Sequence, residues 1–163
     1  MKNLLYTLLF LCSLTVSAQK SLKSLLKEHN TENVPYITVD ELKKETSNVI
    51  LLDAREPKEF KVSHIENAQC VGYDHFDLDK TISSLKNKDA KIIVYCSLGI
   101  RSEDVAEKLQ KAGFSNVYNL YGGIFEWKNE GNKVVNRKNK STEKVHTFNK
   151  DWSKWLLKGK KVY

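Results

Sequence analysis

Cysteine is scarce here, with Cys12, Cys70 and Cys96 in 163 residues, and His29, His64, His75 and His146 are scattered. No pair of them has zinc-type spacing, so the sequence offers no metal site. Internal repeats are absent. Beyond the first residues no apolar stretch approaches the ~20 residues of a membrane-spanning helix. Excess charge is missing from most of the chain. Residues 137–163 hold nine Lys or Arg against Glu143 and Asp151, and that surplus equals the +7 of the whole protein. The rest is neutral, so the basic balance describes a C-terminal appendage and gives no reason to expect nucleic acid as a partner.

The length suits one domain of ordinary size plus appendages, with 40% apolar residues to build one core. Met1-Lys2-Asn3, an apolar stretch from Leu4 to Val16 and then Ser17-Ala18 have the form of a signal peptide over 1–18, with Val16 and Ala18 before the cleavage point. Export to a periplasmic or secreted location is expected, and a lipid anchor at Cys12 is disfavoured by Leu11 before it. Cleavage would leave Cys70 and Cys96 in an oxidising compartment, where one disulfide between them is conceivable. For Cys70 a small core residue is the favoured reading.

Residues 19–33 read as a leading helix and linker, with Leu22, Leu25 and Leu26 at helical spacing. Thr38 and Glu41 fit a capping box. Pro57 favours a helix to about Val62, and Leu78 to Leu85 is a further helical candidate. Val49–Leu52, Ile92–Tyr95 and Val117–Leu120 read as buried strands, with a short candidate at Gln69–Val71. Ser102 is placed to cap the helix carrying Val105, Ala106, Leu109 and Ala112, and Gly113 to end it. Strands separated by helices predict an α/β fold, a mainly parallel sheet of about five strands covered by helices on both faces. Ligands of such sheets sit beyond the carboxyl ends of the strands, where Asp53 and Cys96 both fall.

Cys96 follows an apolar strand and opens Cys96-Ser97-Leu98-Gly99-Ile100-Arg101-Ser102. A strand, a glycine-containing loop and a helix start converge backbone N–H groups on one point, which favours an anion there. Arg101 adds a positive charge that favours thiolate over thiol. A nucleophile and a buried strand-end cysteine are equally compatible with position alone.

Neighbouring motifs favour the nucleophile. Val49-Ile50-Leu51-Leu52-Asp53-Ala54-Arg55-Glu56-Pro57-Lys58-Glu59-Phe60, then Ser63-His64-Ile65-Glu66-Asn67-Ala68, then Tyr121-Gly122-Gly123-Ile124-Phe125-Glu126-Trp127 resemble the rhodanese (thiosulfate sulfurtransferase-like) family in order and spacing. The resemblance covers residues 34–136. Ser63, where the family usually has glycine, and Glu66-Asn67, where Pro-Gly is common, depart from it at a turn. It implies sulfur transfer through a persulfide on Cys96, from thiosulfate, polysulfide or a persulfide to cyanide or a thiol. No metal or organic cofactor is then needed. Residues Ser97, Leu98, Gly99, Ile100, Arg101 and Ser102 would cradle the sulfur, with Asp53 and Arg55 as supporting groups. Glu59 and Glu126 are offered as partners for Arg55, and His64 is expected to make a local hydrogen bond. Leu98 and Ile100 make the loop less charged than thiosulfate would favour. A binding module of the same shape without turnover is the alternative. A Cys-dependent phosphatase fits less well, since those enzymes resemble a loop with five residues between cysteine and arginine and this one has four.

In the extension over 137–163, Phe148, Trp152, Trp155 and Leu156 recur at the spacing of one helical face. Docking of a short amphipathic helix onto the domain is preferred, because large exposed apolar patches are uncommon on soluble monomers. Contact with a membrane surface or an acidic partner is the other reading.

Overall fold

The computed structural model describes residues 21–45, 49–85 and 87–163. The expected signal peptide over 1–18, with Cys12, lies outside them. Among the described residues no helix is long and apolar enough to cross a membrane.

The elements run α1 (Leu22–His29), β1 (Tyr36–Ile37), α2 (Val39–Lys44), β2 (Ile50–Asp53), α3 (Pro57–Val62), β3 (Gln69–Cys70), α4 (Leu78–Ser84), β4 (Ile92–Tyr95), α5 (Arg101–Lys111), β5 (Val117–Leu120) and α6 (Gly123–Asn129). Local chemistry accounts for their limits. The Thr38 hydroxyl accepts the Glu41 N–H while Glu41 takes the Thr38 N–H at 2.8 Å, closing the capping box of α2. Pro57 opens α3, where its missing N–H costs nothing. Gly113, at φ +92°, follows the last turn of α5 and donates to the Gln110 carbonyl.

Strands β1 to β5 form one parallel sheet in the order β1-β5-β4-β2-β3. Its two faces bury separate clusters, and successive residues of β4 alternate between them as strand geometry requires. Ile93 and Tyr95 pack with Val39, Leu42, Ile124 and Phe125 on one face. Ile92 and Val94 pack with Leu85, Val105, Ala106 and Leu109 on the other. Helices therefore cover both sides, and β4 lies in the middle with its carboxyl end opening into the Cys96 loop.

Residues 131–163 form β6 (Val134–Val135) paired antiparallel with β7 (Ser141–Thr142), then β8 (Lys144–His146) paired parallel with β9 (Lys160–Val162) around the one-turn α7 (Lys150–Ser153). The single helical face expected over 148–156 is thus mostly not helix. Val145 and Leu156 are nevertheless fully buried, and Trp152 and Trp155 pack against the same cluster as Ile93 and Phe125. Phe148 instead stands out at 46% exposure.

Both described cysteines are free thiols, which corrects the conceivable disulfide. Cys70 pairs with Asp53 of β2, whose other neighbour is Tyr95 of β4, so the two cysteines are separated by a full strand. Two strand spacings amount to about 9–10 Å, beyond the reach of a disulfide. Cys70 lies exposed on the edge strand, not in the core as expected.

Candidate active site

Cys96 has no exposed surface, and its Sγ accepts the Gly99 N–H at 3.1 Å. That contact bends the loop over the sulfur. Gly99, at φ +106°, takes a path that a side chain would strain, since a Cβ there would sit 3.3 Å from the Leu120 carbonyl oxygen. The Gly99 carbonyl is held by two amides, Asn119 Nδ2 and Asn30 Nδ2, each at 2.8 Å. Because the peptide is planar and trans, the N–H of Ile100 faces away from both asparagines.

A second clamp comes from α6. Ile124 and Phe125 donate their N–H groups to the carbonyls of Cys96 and Ser97 at 2.9 and 3.2 Å. Gly123 permits this approach: at φ +55°, a Cβ would lie 2.3 Å from the Cys96 oxygen and 2.8 Å from the Ser97 carbonyl carbon. The loop is therefore gripped from β5 and α1 on one side and from α6 on the other.

Arg101 does not offer a free charge to the sulfur. Its Nη1 and Nη2 grip Glu59 Oε2 and Oε1 at 2.8 and 2.9 Å, and Nη2 also reaches the Ser97 hydroxyl at 3.2 Å. Glu59 is fully buried, and burial alone would raise its pKa; the hydrogen bonds and charge of Arg101 outweigh this and hold it below the usual carboxylate range. The pair is bidentate and nearly neutral in sum. The hydrogen bond turned toward the Cys96 sulfur comes from the backbone, the Gly99 N–H.

The stability this pair contributes is fully present above the ordinary glutamate value of about 4.3 and is lost as pH falls through the lowered native value. Glu59→Gln strands Arg101 and should cost about 3 kcal/mol near neutral pH. In thermal melts the gap from the parent protein should narrow as pH falls below the ordinary glutamate range and close once pH lies below the lowered native value, where Glu59 is protonated in both folded and unfolded chains. A gap independent of pH would refute this account.

Asp53 and Arg55 lie below the loop at 0% exposure. Arg55 Nη2 meets Asp53 Oδ2 at 2.6 Å and the Ser63 carbonyl at 2.7 Å, and Nε meets Asp53 Oδ1 at 3.0 Å. Burial opposes the guanidinium charge, but Asp53 outweighs it and raises the Arg55 pKa. Arg55 thus pairs with Asp53, while Glu59, expected as its partner, belongs to Arg101. His64 stacks on Phe60 and its Nδ1 meets the Phe60 carbonyl oxygen at 3.0 Å, a local role as expected.

The structure separates the loop residues named from sequence. Gly99 contacts the Cys96 sulfur, Ser97 joins Arg101, and Ile100 and Arg101 line a cavity beside the loop, whereas the Leu98 side chain is buried in the core. Ser102 lies inside α5, where Ile100 takes the cap position, and its hydroxyl donates to Asn119 Oδ1 at 2.7 Å. Asn30, Asn119 and Gly123 were missed. Asn119 did carry a signal, a polar residue in the otherwise apolar run of β5; it also donates to Glu103 Oε2 at 2.8 Å. Among the described residues no group of three or more His, Cys, Asp or Glu is placed to hold a metal.

Residues 38–130 match the family model of the rhodanese-like domain. The chain belongs to the rhodanese-like family. Its domain is similar to part of a tRNA uridine(34) hydroxylase from an Enterobacter species, 36% identical over 83 residues, which are 49% of this chain and 24% of that protein. A probable adenylyltransferase/sulfurtransferase, MoeZ, from Mycobacterium tuberculosis is 34% identical over 77 residues, 47% of this chain and 19% of its own. The chain spans about a quarter of the length of the first curated relatives it matches. Among solved structures, a rhodanese-like domain protein from Staphylococcus aureus superposes with TM-score 0.55 at 30% identity, over 64% of this chain and 99% of that one. Residues 137–163 lie outside the match, and so does Asn30, which braces the loop of this rhodanese-like domain from the leading helix.

Proposed function

We propose that the protein is a sulfurtransferase that carries a sulfane sulfur on Cys96. The observation behind this reading is the Cys96 Sγ accepting a backbone N–H inside a loop clamped from both sides, with no carboxylate or imidazole among the described residues hydrogen-bonded to it. Such a site suits an anionic sulfur that attacks without a general base. The thiolate takes the outer sulfur of the donor: a bond forms from Sγ to that sulfur, and the donor's S–S bond breaks with its electron pair on the leaving group. Thiosulfate would leave as sulfite. Attack by cyanide or a thiolate on the outer sulfur of the resulting Cys96 persulfide then breaks the Sγ–S bond and restores the Cys96 thiolate. Relatives that include a probable sulfurtransferase agree with this reading.

Mass spectrometry of the Cys96 peptide after exposure to thiosulfate or polysulfide should show the gain of one sulfur atom. Cys96→Ser should remove that gain and lower sulfur transfer at least a thousandfold, since oxygen at this position is a far weaker nucleophile toward sulfur. The substitution is nearly isosteric, so the fold should persist. Sulfur transfer retained by Cys96→Ser would overturn the reading, and failure of every donor to load Cys96 would favour the non-catalytic binding module.

A further inference from the structure

The C-terminal extension reaches the Cys96 loop at Arg101. A cavity of about 290 Å³ lies over the start of α5, lined by Tyr73, Asp74, Ile100, Arg101, Phe148 and Trp152. Two of these come from the Cys96 loop and two from the extension. Ile100 and Arg101 belong to the loop that Cys96 opens, so the cavity adjoins the segment that holds the sulfur. The Phe148 ring covers the Arg101 guanidinium, 5.1 Å from its carbon to the ring centroid, and meets Trp152 edge-on at 5.8 Å. With Glu59 on its other side, the arginine is both neutralised and roofed.

Phe148 holds this place under strain. Its φ of +65° lies in the left-handed region, uncommon for a bulky side chain. The bend is held by its N–H donating to His146 Nδ1 at 3.1 Å and by Thr147 pairing with Val162. A half-exposed aromatic ring in a strained conformation contributes little to the core, so the strain is expected where the ring serves the site. Opposite it, Glu56 Oε1 accepts the N–H groups of Tyr73 and Asp74 and fixes the other wall. Of the six lining residues only Asp74 and Arg101 are charged, and Arg101 is already paired. Among these lining residues a dianion meets no free cation and one carboxylate.

We propose that Phe148 and Trp152 form an aromatic wall that selects sulfur donors bearing an apolar organic group over small inorganic anions such as thiosulfate. The proposal rests on sulfur transfer through Cys96 and names the donor class for it. An aryl thiosulfonate represents that class. The Cys96 thiolate would take its outer sulfur, and the arenesulfinate would leave with the electron pair of the broken S–S bond. Its ring has three aromatic neighbours in Tyr73, Phe148 and Trp152, and its single negative charge suits the site better than the two of thiosulfate.

The test measures loading of Cys96 in the full chain by benzenethiosulfonate and by thiosulfate, each rate divided by that of a free thiol with the same donor. The normalised preference for the aryl donor should be at least tenfold. Phe148→Ala and Trp152→Ala should each reduce it about tenfold, the scale on which an apolar pocket discriminates, while Phe148→Tyr retains it. Phe148→Gly suits the backbone conformation and removes the ring without relying on a strained alanine. A second reading follows alkylation of the Cys96 peptide by N-phenylmaleimide and by iodoacetate, which needs no sulfur transfer. If no donor loads Cys96 but the phenyl reagent is favoured and loses its advantage in the variants, the wall stands and the sulfurtransferase reading falls. If donors load Cys96 and the ring-deleting variants leave the aryl preference unchanged, the wall is refuted and sulfur transfer stands.

Discussion

Deletion of residues 137–163 should lower the melting temperature by roughly 15 °C or prevent folding. Val145 and Leu156 are fully buried in the cluster shared with Ile93 and Phe125, and Trp152 and Trp155 pack against it. At about 1.5–3 kcal/mol for each fully buried apolar side chain, and less for the tryptophans, the loss is on the order of 5 kcal/mol. A whole domain is stable by about 5–15 kcal/mol, and each kcal/mol moves the midpoint by about 2–4 °C in a chain of this size. Deletion also strands Lys128, which is 7% exposed and pairs with Glu143 at 2.9 Å.

The damage should reach the cysteine loop as well. Asn129 at the end of α6 donates to the Trp155 carbonyl and accepts the N–H groups of Leu157 and Lys158. That same helix holds the carbonyls of Cys96 and Ser97 through its first turn. Circular-dichroism melts and loading of Cys96 in the truncated chain check both effects. An unchanged melting temperature with salt-dependent loss of binding to anionic vesicles would show instead that the extension is a membrane-contact segment.

Asp53→Ala should destabilise the protein by about 3–5 kcal/mol, because it leaves a buried guanidinium without its carboxylate. Arg55 and Asp53 are both at 0% exposure, and the Arg55 Nη1 already lacks a hydrogen-bond partner among the described residues. Among the described residues only the Ser63 carbonyl would remain to Nη2. Removing both charges is a different matter, since a buried pair replaced by apolar side chains of similar volume is often neutral. Asp53→Leu combined with Arg55→Met should therefore recover most of the loss. Urea denaturation of the single and double variants measures the difference. A loss below about 1 kcal/mol for Asp53→Ala would mean that water reaches Arg55, contrary to this account.

Local chemistry was legible in the sequence wherever a few neighbouring residues decide the outcome. The limits of α3 and β5 and the capping box of α2 came from a proline, an apolar run and a Thr-x-x-Glu spacing, all read within one or two turns of chain. The parallel sheet followed from alternation of such segments, as did the placement of Asp53 and Cys96 at strand ends. The two-residue β1 and the strands of the extension carried too short a pattern to be seen.

Tertiary structure decided what depends on strand order. Glu59 faces Arg55 as readily as Arg101 in the sequence, yet α3 and the loop after β4 bring it to Arg101, 42 residues away, because β2 and β4 are neighbours in the sheet. Gly123 reads as a turn glycine, and its closeness to the Cys96 carbonyl exists only once α6 is laid against the loop. Phe148 reads as one more apolar residue of a helical face, and only the fold turns it out of the core and over Arg101. Periodicity records which side chains prefer burial; partners distant in the chain are set by the order in which strands assemble, and no local pattern encodes that order.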